Sequence, residues 1–158
     1  PESVAEIARA CPEATLLRNA TNLGFAGATN RGIEAALAAG DSPVLLLNND
    51  AFVDEAAIGR LLATLAAEPA VGMAGPLLYS TETPPTLIAA GSKNPAWHLN
   101  NLIRQVPRHD AAYAVDYVSG SVALLRAAAL RKVGLLDENY FFNVEVADWC
   151  RRARACGG

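Results

Sequence analysis

Asn48, Asn49 and Asp50 follow directly on an apolar run, Val44 to Leu47, and Glu145 and Asp148 stand three apart near the other end of the chain. Both groups bring together oxygen donors that could bind a cation or move a proton. Asn48 and Asp50 are two apart, so both side chains can turn into one crevice while Asn49 points elsewhere. They offer hard oxygen ligands to Mg²⁺ or Mn²⁺, a kind of ion that keeps waters and takes substrate phosphate oxygens as further ligands. Such a site could neutralise a departing diphosphate. The plainer alternative is a tight turn, which Asn and Asp favour. Glu145 and Asp148 share a helix face. They read either as carboxylates for proton transfer or, for Asp148, as a salt bridge to Arg151 or Arg152 and, for Glu145, as a first-turn residue stabilised by the helix dipole.

A third segment, Asn22-Leu23-Gly24-Phe25-Ala26-Gly27-Ala28-Thr29-Asn30-Arg31-Gly32, reads as a glycine loop passing into a helix. Gly24 and Gly27 allow close backbone approach, Asn22 and Asn30 supply amides, and a helix N-terminus favours phosphate. The spacing of a dinucleotide fingerprint is missing. The alternative is a scaffold in which Asn30 and Arg31 buttress the Asp50 loop.

The elements that must position these groups alternate. Glu2 to Cys11 reads as a short amphipathic helix and Ala14 to Leu17 as a strand. The glycine segment becomes a helix to about Ala39, stopped at Gly40. Val44 to Leu47 has the continuous apolar character of a buried strand, and such strands present ligands at their carboxyl ends. Asp54 can cap a helix to about Ala67, with Ile58, Leu61, Leu62 and Leu65 as its stripe. Val71 to Ala74, Leu77 to Tyr79 and Tyr113 to Val118 read as strands, and Val122 to Leu125 as an extension of the last of them. Arg126 to Val133 and Val144 to Ala155 read as helices. Residues 92 to 112 have no period and suggest a long excursion over the site, with Trp97 and His98 as candidates to stack on a sugar; Trp149 is either such a residue or core. The alternation predicts a mostly parallel, layered α/β sheet.

Bulk properties narrow the class. With 158 residues, 52% of them apolar and 18% charged, the chain has enough material for one core and is not disordered. A net charge of −3 argues against a nucleic-acid partner. Cys11, Cys150 and Cys156 form an odd set without a Cys-x-x-Cys, which favours a reducing compartment over a disulfide framework or zinc site. Neither His98 nor His109 has a partner at metal-ligand spacing. No apolar stretch reaches the ~18 residues of a membrane span. The chain opens on Pro1 without a Met and closes on Gly157-Gly158 directly after a helical pattern, so both ends read as cut.

Taken in order, the glycine segment, Leu45-Leu46-Leu47-Asn48-Asn49-Asp50, Val71-Gly72-Met73-Ala74-Gly75-Pro76, Asp116-Tyr117-Val118-Ser119-Gly120-Ser121, and the stretch from Val133-Gly134-Leu135-Leu136-Asp137-Glu138 through Tyr140-Phe141-Phe142 to Glu145, Asp148, Cys150 and Arg152 closely resemble the family 2 glycosyltransferases, in particular the rhamnosyltransferase-like branch. The resemblance implies the GT-A fold, a Rossmann-like mixed sheet flanked by helices. Here it would be truncated at both ends. Residues 1–158 would form a single partial catalytic domain, with 1–79 on the nucleotide and metal side and 80–158 on the acceptor side. It implies inverting transfer from a nucleoside-diphosphate sugar to a glycan or lipid-linked acceptor, dependent on Mg²⁺ or Mn²⁺. The setting would be cytoplasmic, at the inner face of the membrane if regions outside this chain associate with it, and the product a cell-envelope polysaccharide or related glycan. Asp50 would contact the metal. Asn22, Gly24, Asn30, Asn48, Asn49, Gly120 and Ser121 would line the donor side, and Glu145 or Asp148 would act as general base.

One departure stands out. The family usually reads Glu-Asp-x-Asp at the last helix, with the second residue as base, whereas this chain reads Glu145-Val146-Ala147-Asp148. A valine accepts no proton. Glu145 is favoured in its place because it adjoins the aromatic loop expected to wall the acceptor site. The competing reading is a non-catalytic nucleotide- or glycan-binding relative. A sugar-phosphate nucleotidyltransferase would want a glycine-rich loop with a basic residue, and a glycoside hydrolase a carboxylate pair across the sugar. Neither fits as well.

Overall fold

The computed structural model describes residues 2–93, 102–106 and 111–157. Trp97, His98, His109 and much of the expected excursion lie outside the described residues. The elements run α1 (Glu2–Ala10), α2 (Gly24–Ala39), β1 (Val44–Leu47), α3 (Glu55–Ala67), β2 (Met73–Ala74), β3 (Leu78–Tyr79), β4 (Leu87–Ala89), β5 (Val122–Leu125), α4 (Ala127–Val133) and α5 (Glu145–Ala155).

A three-stranded sheet in the order β1-β5-β2 carries the site, and β3 pairs with β4 in a separate ribbon. Both pairings of β5 are antiparallel, with Val44 opposite Leu125, Leu47 opposite Val122, and Ala74 opposite Leu124. The expectation of a mostly parallel sheet is corrected accordingly. Its basis was sound but incomplete. β1 and β2, joined through α3, both run opposite to β5 and so run parallel to each other. The strand inserted between them arrives from some fifty residues further along, and local patterns carry no signal for so distant a pairing. As the central strand, β5 is buried at all four positions, which explains its unbroken apolar run.

Two further strand expectations fail. Ala14 to Leu17 forms no ladder with any described residue, and Leu16 and Leu17 are exposed. Tyr113 to Val118 forms no strand, bends at Asp116 and contributes only an isolated bridge between Tyr117 and Ser92. Extended residues become a strand only where a neighbour takes up their N–H and C=O groups.

Helix boundaries follow the local signals closely. The Asp54 carboxylate accepts the Ala57 N–H at 2.6 Å and caps α3. Gly134 ends α4 with a φ of +90°. Trp149 is fully buried in the core with Ile33, Leu125, Leu130 and Leu136, and its indole N–H donates to the Gly134 carbonyl at 2.8 Å. It is core and not a sugar platform. Arg126 gathers the end of α3 and the loop before β2 onto β5, because its guanidinium donates to the carbonyls of Leu65, Glu68 and Val71. Burial pushes the Cys150 thiol up to about 11, which keeps it an inert core side chain.

Candidate active site

β1 delivers the chain into a turn at Asn48–Ala51, closed by the Ala51 N–H donating to the Asn48 carbonyl at 3.2 Å. Asn48 is half-buried, whereas Asn49 and Asp50 are exposed. The turn is fastened to the entry of β5: the Asn48 N–H donates to the Ser121 carbonyl at 2.9 Å. The register of β1 against β5 thus sets Asn48 beside Ser121, and Gly120 follows one residue away. Gly120 in turn packs under α5. A Cβ there would lie 3.0 Å from Val146 Cγ2 and 3.5 Å from Phe25 Cζ. Val146 is therefore a buried packing residue seated on Gly120.

The glycine segment is helical already from Gly24, so it is a helix start and not a loop. Its first N–H groups are taken up by protein. The Gly24 N–H donates to Asn22 Oδ1 at 3.0 Å, and the Phe25 N–H donates to the Phe141 carbonyl at 2.9 Å. Gly24 has a φ of +69°, and a Cβ on it would stand 2.4 Å from the Phe141 carbonyl oxygen. Only glycine permits this contact between α2 and the aromatic loop. Gly24→Ala is expected to cost about 2 kcal/mol or more from left-handed strain and the clash. Thermal unfolding together with limited proteolysis of the 137–142 loop would show it. An unchanged midpoint and cleavage pattern would mean the contact is dispensable.

Asn30 is buried and fully committed. Its amide nitrogen donates to the Leu136 carbonyl and to Glu138 Oε1, both at 2.9 Å, and its oxygen accepts the Leu136 N–H at 3.0 Å. It braces the loop that leads to the aromatics. Arg31 donates instead to the Arg18 carbonyl and to Asn19.

The last element brings the acid groups. Asn143 and Val144 both have positive φ, +67° and +74°, immediately before α5. For a β-branched residue this is a costly conformation, and such outliers gather at functional sites. Val144 offers no side-chain cap. Glu145, first in the helix, is 7% exposed, and its Oε2 has no hydrogen-bond partner. Burial raises its pKa, partly offset by a hydrogen bond from its own backbone. Asp148 is equally buried but saturated. Its two oxygens take Arg151 at 2.8 Å and Arg152 at 2.7 Å. Burial would raise its carboxyl pKa, but the bonds and charges of Arg152 and Arg151 outweigh burial and lower it. Arg152 also donates to the carbonyls of Val133 and Leu135, so this pair ties α5 to the loop after α4.

A cavity of about 200 Å³ opens beside Glu145, bounded by Gly120, Ser119, Tyr117, the strained Asn143–Val144 pair and Ser92. The structure thus brings together Glu145, Gly120 and, through the backbone bond, Ser121 and Asn48. It does not bring Asn22, Asn30 or Asp148 to this cavity. A larger cavity of about 330 Å³ lies between α2 and β1, but its walls are apolar apart from Thr29 and Asn48 and hold no titratable group. Sequence reasoning missed Ser92. Nothing in Gly91-Ser92-Lys93 marks it, and only its burial does.

The family model for glycosyl transferase family 2 matches residues 1–134. The chain belongs to that family. It is also 32% identical, over 159 aligned residues, to the N-acetylglucosaminyl-diphospho-decaprenol L-rhamnosyltransferases of two Mycobacterium tuberculosis strains, CDC 1551 / Oshkosh and ATCC 25618 / H37Rv. The alignment covers 87% of this chain and 52% of each relative, so the chain spans about half the length of the curated relatives it matches. No solved structure matches significantly. The family places the fold in the GT-A class, and the family 2 domain is that of a glycosyltransferase. The family match ends at Gly134, before α5, so roles for Glu145 and Asp148 rest on their geometry. Among the described residues no helix is long and apolar enough to cross a membrane.

Proposed function

We propose that this glycosyltransferase domain moves a sugar, L-rhamnose by analogy with its relatives, from a nucleoside-diphosphate donor to a lipid-linked N-acetylglucosaminyl diphosphate, with inversion. The observation that carries the reading is the unpartnered, buried Oε2 of Glu145 beside a cavity of single-sugar scale. In this reading Glu145 takes the proton of an acceptor hydroxyl as that oxygen forms its bond to the anomeric carbon. The bond to the diphosphate breaks on the opposite face, so the configuration inverts. Asp148, ion-paired on both oxygens, holds α5 in place and carries no proton. The second reading, a non-catalytic binding relative, rested on Val146. It is less well supported, because Glu145 one residue earlier has the free oxygen that Val146 lacks.

A divalent cation belongs to this reading, and the donor set decides in what form. Among the described residues no three His, Cys, Asp or Glu side chains cluster as a metal cage. Asp50 with Asn48 therefore fits Mg²⁺ or Mn²⁺ shared with the donor's phosphates, the usual mode for such ions. The ion would supply positive charge to the departing diphosphate. Asn48, Asn49, Gly120 and Ser121 then lie on the donor side, with the two-part division at residue 79 and a Rossmann-like donor half as the corresponding architecture. A cytoplasmic setting at the inner membrane face fits a lipid-linked acceptor.

The test is turnover by the full-length protein, offered UDP-, dTDP- and GDP-linked sugars, with a short-chain N-acetylglucosaminyl diphospholipid and Mn²⁺ or Mg²⁺. Acceptor-dependent release of nucleoside diphosphate is expected. In Asp50→Ala it should fall at least about 100-fold, and the enhancement of nucleotide binding by Mn²⁺ should disappear. Metal-dependent nucleotide binding without transfer to any acceptor would turn the conclusion to the binding relative.

A further inference from the structure

Ser92 is 1% exposed, and its Oγ has no hydrogen-bond partner. Its backbone is locked. The Ser92 N–H donates to the Tyr117 carbonyl at 2.9 Å, and the Ser92 carbonyl accepts the Asp116 N–H at 2.9 Å. The preceding Gly91, with φ +83°, is pressed so closely on Val115 that a Cβ would lie 2.5 Å from Val115 Cγ1. The hydroxyl is thus held in a fixed place by its surroundings and left unsatisfied. Buried polar groups are rarely left so, because a group taken out of water without a new partner forfeits its hydration. Among the described residues the other unpartnered buried side-chain oxygen is Glu145 Oε2, and both residues border the same cavity. Two residues with orphan oxygens lining one small cavity call for a ligand with several hydroxyls. Val118, Val146 and the bare Gly120, which share the wall with the polar Tyr117, Ser119 and Asn143, suit the apolar face of a pyranose ring.

We infer that Ser92 is an acceptor-binding residue: its hydroxyl bonds a second hydroxyl of the same acceptor sugar whose reacting hydroxyl meets Glu145, and so fixes the ring's orientation. This rests on the transferase reading above. Ser92 moves no proton in the reaction; it selects and orients.

The experiment compares wild type with Ser92→Ala, and with Ser92→Cys as the variant of nearer size, in the full-length protein. Calorimetry measures binding of a water-soluble N-acetylglucosaminyl diphosphate ester and of its monodeoxy analogues. Kinetics measure transfer to the same set. Both variants should bind the parent acceptor about tenfold more weakly, as loss of one polar contact implies. Acceptor KM should rise while donor KM stays put. One monodeoxy analogue should bind wild type and Ser92→Ala alike, because the partner hydroxyl is already gone. Thermal stability without acceptor should be unchanged or higher in Ser92→Ala, since no protein bond is lost; a purely structural serine would show the reverse. Active transfer with equal acceptor binding in all three proteins overturns the Ser92 assignment alone. A uniform loss across every analogue, with a fall in stability, also overturns it. A wild type that neither binds the acceptor nor transfers sugar overturns the transferase reading, and this assignment with it.

Discussion

Glu145→Gln is expected to lower kcat for sugar transfer by about 10²–10⁴-fold, the contribution of a positioned general base. Donor binding should be nearly unchanged, because the substitution keeps the shape of the side chain and removes only its ability to take the proton. Folding stability at neutral pH should hold or rise. Burial raises the Glu145 pKa above its ordinary 4.5, so the charged carboxylate is a net cost to the fold at pH 7. That cost lapses as pH falls below the unfolded value, and glutamine never bears it. The same shift fixes the sign of the rate profile. A base works only when deprotonated, and kcat/KM reports the free enzyme, so kcat/KM should fall as pH drops through the raised pKa, giving an acid limb above 4.5. In Glu145→Gln the limb should vanish along with most of the rate. Retention of more than about a tenth of wild-type kcat, or of the same acid limb, would remove Glu145 from the reaction. In that case Asp148 does not readily take its place, because it is bonded on both oxygens.

Asp148→Ala should produce the larger loss of stability, about 3 kcal/mol, the low end for breaking a buried pair from one side. The low end applies because the Arg151 side chain is 67% exposed and keeps its hydration. Arg152 is 28% exposed and retains its carbonyl partners at Val133 and Leu135. The pH dependence runs opposite to that of Glu145. The folded pKa of Asp148 lies below its ordinary 3.8. Its contribution is therefore present above the unfolded value and is lost as pH falls through the lowered folded value. Denaturant unfolding of the full-length protein, followed by tryptophan fluorescence, measures the loss. The Asp148→Ala, Arg152→Ala double variant should lose less than the sum of the two singles. A loss below about 1 kcal/mol would class the pair with ordinary surface ion pairs and leave α5 held by its buried face, Val146, Trp149 and Ala153.

Glu145 and Asp148 also show how the two sources of information divide. Their spacing predicts a shared helix face, and α5 supplies it. Spacing offers both as bases and does not rank their chemistry. The sequence favours Glu145 only through the adjoining aromatic loop; the structure adds what surrounds each, two guanidiniums for Asp148 and, for Glu145, a cavity and an oxygen without a partner. Asn30 behaves in the same way. Its place in the glycine segment allows either substrate binding or bracing, and three bonds to Leu136 and Glu138 commit its amide to the loop.

Elements whose causes are local were legible in the residues alone. The Asp54 cap, the Gly40 and Gly134 stops, the strand Val44–Leu47 and the helix bearing Glu145 all depend on neighbours within a few residues. The burial expected of Val44–Leu47 is corrected: β1 is an edge strand of its sheet, so Val44 to Leu46 are only half-buried and Leu47 is exposed. The order of its motifs carried the family as well, since that order is a property of the chain alone. Only the tertiary structure decided what depends on residues far apart. β5 enters between β1 and β2 antiparallel, which puts Asn48 against Ser121 and Gly120 under Val146. Ser92, unremarkable among its neighbours in sequence, reaches the Glu145 cavity through a bridge to Tyr117 some twenty-five residues on. The physical reason is that local backbone preferences act over a turn or two of chain, whereas burial and an unmet hydrogen bond are properties of a packed neighbourhood that exists only after folding.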